Sequence, residues 1–469
     1  MDGVAPAHRQ HPGGARRPTP SPHGRDPIVV DDVRIAADAS GAELSARVTG
    51  GGSDLPPRLW FRVPVEYAAA LAAGGDAFLP VLLLAAMSGG APLRIEAEVS
   101  AMLLGSTRRI MRLYRDWGGI RPLGEIEITA PAVARERREP QTGAFFSGGV
   151  DSFHTVLKNL ARYPVGDVRR ITHLVLVHGF DIPVENRRLF ETVRTRAGEA
   201  AAHTGLRLLP VVTNARAAIA PLPWESAHGT VLASVALALG GLFDTVLIAS
   251  SYEFLELRPW GTHPSLDPLW STETLEIRHD GAELPKPEKM RVVAASPIAL
   301  RILRVCWENP DGQYNCGRCE KCLRTMVTLA AHGALEGAEQ FPRVIDPRLV
   351  EQLPLGEFIR PRWRDLARQL RARDGDGPVS RAIDSALRRS AWADCALGRI
   401  DARVWALLSR LGLTPARAKS LDRALTGGRA TALLRRLQRR ADKAGWPSAP
   451  TPPTPGVPGV YRTRFPGQS

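Results

Sequence analysis

The chain has 469 residues, more than one hydrophobic core usually serves, so two or three domains are expected. Its 44% apolar and 23% charged residues are those of an ordinary folded protein, which excludes the fibrous and wholly disordered classes. The 62 Lys plus Arg against 48 Asp plus Glu give a formal +14, but the stretch 356–446 alone holds 21 basic and 9 acidic residues. The basic character therefore belongs to a C-terminal region, and the rest of the chain is close to neutral.

Residues 1–25 are rich in Pro, Gly, His and Arg without apolar periodicity, and read as a disordered lead lacking the apolar stretch of a secretory signal. From 26 to 134, short alternating bursts (Ile28 to Val30, Val33 to Ile35, Leu59 to Phe61, Ile95 to Val99) predict strands. Helical spacing at Glu66 to Ala73, Ala77 to Met87 and Leu103 to Trp117 completes a small α+β domain. Ala77 to Met87 is the longest apolar run, about half the roughly 20 residues a bilayer requires, so no membrane contact and a cytoplasmic location are expected. A charged linker, Arg135 to Glu139, follows.

Residues 142–343 alternate strands with helices, the mark of an α/β domain with a parallel sheet covered on both faces. Strands are predicted at Gly143 to Phe146, His173 to His178, Leu206 to Thr213 and Thr245 to Ser250. Helices fall at Ser152 to Tyr163, Glu185 to His203 and His228 to Gly240. A polar insertion, Tyr252 to Met290, precedes a last strand at Arg291 to Ala295. Residues 344–446 read as basic helices, and 447–469, rich in proline, as a disordered tail. The arginines at 435, 436, 439 and 440 suit either nucleic-acid phosphates or the polar face of an amphipathic helix, with no nucleic-acid motif beside them.

Two features carry chemistry. Ser147-Gly148-Gly149-Val150-Asp151-Ser152 runs from strand through turn into helix. Paired glycines let the backbone turn sharply toward an anion that the helix N-terminus also attracts. Ser147 and Ser152 offer hydroxyls to phosphate oxygens, and Asp151 suits a bridging Mg²⁺. Neither G-x-x-x-x-G-K-[ST] nor G-x-G-x-x-G occurs here, which excludes the Walker and dinucleotide loops. The second feature is Cys316, Cys319 and Cys322 in two overlapping C-x-x-C spacings, with Cys306 ten positions earlier. Four thiolates suit a closed tetrahedral Zn²⁺, and the spacing also admits an iron–sulfur cluster. Cys395 stands alone and reads as a buried thiol.

The loop resembles the S-G-G-x-D-S motif of the PP-loop ATP pyrophosphatases. Together with the cysteines, over about Thr142 to Leu335, the chain is similar to the 7-cyano-7-deazaguanine synthase (QueC-like) group. That resemblance implies a Rossmann-like adenine nucleotide alpha hydrolase fold and an ATP-dependent ligase. A substrate carboxylate would be adenylated with loss of pyrophosphate, and an amine or ammonia would then displace AMP. ATP would lie on Ser147 to Ser152 with Asp151 and Ser152 catalytic, and zinc would be held by Cys306, Cys316, Cys319 and Cys322. A small carboxylate is the expected substrate. The alternatives are a tRNA or partner-protein substrate, in one version within phage defence, and a nucleotide-binding regulator without turnover. Simple synthases lack the flanking regions found here, so the substrate does not follow from the resemblance.

Strand ends beside the loop bring His178 and Thr213 forward as ATP contacts, with a satisfied strand-end histidine as the plain reading of His178. His228 reads equally as capping or contact. The polar-aromatic set His263, Asp267 and Trp270 reads as a substrate contact because functional residues concentrate in loops. Lys286 and Lys289 are candidates for phosphate neutralisation, though ordinary solvated lysines are the favoured reading.

Overall fold

The computed structural model describes residues 26–51, 55–118, 123–135 and 140–392. The predicted disordered ends, Cys395 and the helices expected beyond 392 lie outside these residues. The chain divides into two units, 1–316 with 336–341 and 317–335 with 342–469.

The first unit begins with β1 (Ile28–Asp38), β2 (Gly41–Thr49) and β3 (Arg58–Val63), an antiparallel meander. It continues through α1 (Leu79–Gly89), β4 (Leu93–Ile95), β5 (Val99–Ser100), α2 (Ala101–Trp117), β6 (Ile128–Thr129) and β7 (Ala132–Val133). Then come β8 (Thr142–Phe145), α3 (Val150–Arg162), β9 (Ile171–His178), α4 (Arg187–Thr204) and β10 (Arg207–Thr213). The unit is completed by α5 (Trp224–Ala238), β11 (Thr245–Ala249), β12 (Glu276–Asp280), α6 (Lys286–Ala294) and α7 (Pro297–Ile302).

Strands on both sides of the linker share one ten-stranded sheet, in the order β12-β11-β8-β9-β10-β3-β2-β1-β4-β6. Its five strands from β8 onward are mutually parallel. Numbered within that group they run 3-2-1-4-5, the doubly wound order, and the order reverses beside β8. The molecule is thus α/β with a large, mostly parallel mixed sheet compatible with a Rossmann-like fold.

The junction between the meander and the parallel strands is short and reinforced by side chains. β3 and β10 pair antiparallel at Phe61 with Thr213 and Arg62 with Val212. The Thr213 hydroxyl donates to Trp60 O at 2.6 Å, while Asn214 accepts from Trp60 N at 3.0 Å and donates to Arg58 O at 2.8 Å. One apolar cluster extends from Ile28 to Ile277 and contains α1 and α5, both buried along most of their length. The expected boundary near 134 therefore separates neither two sheets nor two cores.

Four readings are corrected. The predicted strand at Arg291 to Ala295 is the end of α6, because Pro285 and Pro287 open a helix whose buried Met290 and Val293 lie three apart. The supposed polar insertion contains β12, whose charged sequence EIRHD suits an edge strand, with Ile277 as its buried residue. Ile95 to Val99 breaks into β4 and β5, which belong to different sheets, and the helix at Glu66 to Ala73 is a short 3-10 segment, Val65–Ala70.

The second unit is helical over its described part. It contains α8 (Glu320–Ala331), α9 (Pro347–Glu351), α10 (Arg360–Asp374) and a further helix at 378–392. Trp363 of α10 is fully buried and donates Nε1 to Glu320 of α8 at 3.0 Å. No helix of the described residues is long and apolar enough to cross a membrane.

Candidate functional site

β8 is buried at all four positions, and a side chain at Gly143 would strike the Phe243 ring at 2.9 Å, so the strand enters the loop on a fixed path. Gly148 then takes φ +74°, which only glycine adopts readily, and the turn delivers Gly149 in extended form to cap α3. No side chain caps α3, so its first N–H groups face the loop without intrahelical partners. Ser147 Oγ accepts from Gly149 N at 3.3 Å, Ser152 Oγ donates to Gly149 O at 3.0 Å, and the two hydroxyls lie 3.4 Å apart. Val150 is buried against the core, so among the predicted phosphate-loop residues it contributes backbone only.

Asp151, in the first turn of α3, is the electrostatic centre. Lys286 Nζ forms an ion pair with one carboxylate oxygen, and Lys289 Nζ lies 3.7 Å from the other. Lys289 is 1% exposed and donates to Ser250 O, just beyond β11, at 2.8 Å. Burial lowers its pKa from the usual lysine value and Lys286 adds to this, while Asp151 opposes it. Sequence reasoning favoured solvated lysines, because nothing in spacing indicates that α6 returns to the front of α3. Behind this cluster Asp280, ending β12, accepts from Thr155 at 2.7 Å and Lys158 at 2.8 Å, fixing α3 against the sheet.

A cavity of about 80 Å³ opens beside Ser147, walled by apolar residues such as Phe145, Val177 and Phe190, with Asp181 and Arg304 as its charged pole. Further along the same sheet end, rings meet in a chain from Phe180 through Trp224, His228 and Trp260 to Tyr252. Arg216 stacks on Trp224 at 4.5 Å, and Arg258 stacks on Tyr252 at 4.4 Å and on Trp260 at 4.9 Å.

The other predicted contacts have internal work. His178 stacks flat on Phe190 at 4.1 Å, and its Nε2 lies 2.8 Å from Pro183 O. It is the satisfied strand-end histidine, and burial lowers its pKa from the usual histidine value. Thr213 is fully buried and bonded to Trp60 O. Asp267 and Trp270 are also fully buried. Asp267 binds His279 Nδ1 at 2.7 Å and accepts from His263 N at 3.1 Å, while the His263 ring meets Trp117 edge-on at 5.2 Å. His279 and Asp280 are consecutive on β12 and point to opposite faces, so this set lies on the face away from α3. His228 Nδ1 is 2.9 Å from Trp224 O, one turn back along its own helix.

The four cysteines converge. Cys306, Cys316, Cys319 and Cys322 bring their sulfur atoms within 4.8 Å of one another, and all but the half-buried Cys316 are buried. A tetrahedral zinc with bonds of about 2.3 Å sets sulfurs about 3.8 Å apart, so the group could hold such a metal after small adjustments. Asn315 Oδ1 accepts from Val305 N at 2.9 Å and Cys306 N at 3.2 Å, and Cys319 Sγ caps α8 by accepting from Cys322 N at 3.4 Å. Neither a family model, nor a curated protein, nor a solved structure matches the chain.

Proposed function

We propose that the chain is an ATP-dependent ligase of the PP-loop, QueC-like type, which adenylates a carboxylate and transfers the acyl group to an amine or ammonia. The observation that carries this reading is the Ser147 to Ser152 turn at the reversal of strand order, with Lys286 and Lys289 converging on Asp151. Ligands of doubly wound sheets lie at this crevice. The loop's N–H groups and the Ser147 and Ser152 hydroxyls would receive the β- and γ-phosphates, and the apolar cavity beside Ser147 suits a base.

Asp151 is a hard oxygen ligand suited to Mg²⁺, which would neutralise phosphate charge and orient the leaving group. The lysines would then turn from Asp151 to the phosphates, placing positive charge where the pentacoordinate phosphorus develops negative charge. A substrate carboxylate oxygen forms a bond to the α-phosphorus as the bond to the β-phosphate bridge breaks, releasing pyrophosphate. The nitrogen nucleophile then attacks the acyl carbon and AMP departs. The ring chain from Trp224 to Tyr252, with its two arginines, is the proposed seat of the acyl substrate, in place of His263, Asp267 and Trp270. The cysteines would hold a structural zinc, since a closed four-thiolate set leaves no open coordination position. Incubating the protein with ATP, Mg²⁺ and a panel of carboxylates should yield AMP and pyrophosphate, whereas ADP and phosphate would refute the assignment.

A further inference from the structure

The segment 302–306 lies between the phosphate loop and the irregular loop that carries Cys316. On one side Arg304 N donates to Gly148 O at 2.9 Å, and a side chain at Gly148 would meet Arg304 Cβ at 3.6 Å and Tyr314 Oη at 3.8 Å. On the other side Tyr314 Oη donates to Ile302 O at 2.7 Å, and Asn315 Nδ2 donates to Leu303 O at 2.8 Å. Asn315 Oδ1 closes the set by accepting from Val305 N and Cys306 N. Two side chains next to a cysteine ligand thus hold four backbone groups of the segment that backs the glycine turn. The Arg304 side chain fixes the same segment from below, through Asp181 at 2.6 Å and Asn309 at 2.8 Å. Asn309 sits at φ +46° and donates to Asp181 O, a strained turn that its neighbours must hold in place.

We infer that Tyr314 and Asn315 are positioning residues: they transmit metal capture by the cysteines to the phosphate loop, so that filling the cluster fixes the Gly148 turn in its anion-receiving form. The inference builds on the reading of Ser147 to Ser152 as a phosphate site. Without metal, the loop between Cys306 and Cys316 loses its anchor, the Asn315 and Tyr314 bonds open with it, and the Arg304 to Gly148 bond loosens. With metal, all of these bonds close together, because they share one short run of backbone.

Hydrogen–deuterium exchange on the full chain reads the coupling with no nucleotide present. The protein is stripped with a chelator and reloaded with zinc chloride alone. Amides within 146–153 and 302–306 should exchange at least about tenfold more slowly with zinc, while those of β2 stay unchanged. Asn315→Ala retains all four cysteines and should take up zinc stoichiometrically, yet lose most of the zinc-dependent protection at 146–153. Tyr314→Phe removes one hydroxyl and should lose part of it, and this milder variant carries the test if Asn315→Ala does not fold. Equal exchange with and without zinc in the natural chain overturns the inference, as does an undiminished response in the variants. Zinc-dependent protection in a protein that never binds ATP supports the coupling while refuting the nucleotide reading. ATP binding that is identical in stripped and reloaded protein refutes the coupling alone.

Discussion

Burial disfavours charge on the Lys289 amine, and Asp151 supplies part of the compensation. Lys289→Met retains the bulk and removes the charge, so pyrophosphate formation should fall by about 10²-fold or more while the fold persists, as circular dichroism would report. Asp151→Ala should abolish turnover and leave two lysines repelling each other. Asp267 makes the opposite case: Asp267→Ala strips His279 of its buried partner and should cost about 3 kcal/mol in urea unfolding, without a specific loss of substrate affinity. His173 is pushed down to about 4 by burial and, secondarily, by Arg207. Because its folded pKa lies below the unfolded value, its contribution to stability is complete above about pH 6.5 and is lost as pH falls from there toward 4. Each pH unit in that window removes up to about 1.4 kcal/mol, and His173→Gln should flatten the slope of stability against pH. The glycine loop and the cysteines were legible in the sequence because their chemistry is local. Lys286 and Lys289 were named as candidates but read as solvated, since their place beside Asp151 comes from a return of the chain more than 130 residues later. The set at 263–270 misled because a buried polar staple and a binding loop share one composition.

Among the elements, the parallel strands announce themselves through apolar runs, since both faces are covered. β12 escapes that signal: as an edge strand it needs only one buried residue, and its charges protect the open side. α6 was mistaken for a strand because Val292 and Val293 favour extended structure, while the two prolines and the i, i+3 burial that define the helix lie largely before them. At this scale the turn leading into α3 makes the sharpest prediction. Gly148→Ala forces a Cβ into the left-handed region, with loss of about 1 kcal/mol or more of stability and a larger loss of nucleotide affinity, measured by thermal melts with and without ATP. The cysteine cluster, spread over a loop and the start of α8, should bind about one zinc per chain by metal analysis, and a brown, iron-containing protein would reassign it.

Across the whole molecule, composition suggested separate domains, and the predicted boundary near 134 follows a real change in strand pattern. The two halves nevertheless share one sheet and one apolar cluster, because β3 pairs with β10 across some 150 residues of sequence. Non-local pairing of this kind leaves no periodic trace. Deleting residues 1–140 would uncover the β10 edge and one side of α5, so the remainder should aggregate, and recovery of a folded, soluble fragment would show that the shared sheet is dispensable. The basic surplus belongs largely to residues beyond those described. The central claim, that the loop before α3 splits ATP between its α- and β-phosphates, is tested most directly by product analysis with ATP labelled at the α- and γ-phosphates. Labelled AMP and labelled pyrophosphate are expected, both lost in Asp151→Ala. Labelled ADP with inorganic phosphate, or AMP and pyrophosphate formed equally well by Asp151→Ala, would contradict it.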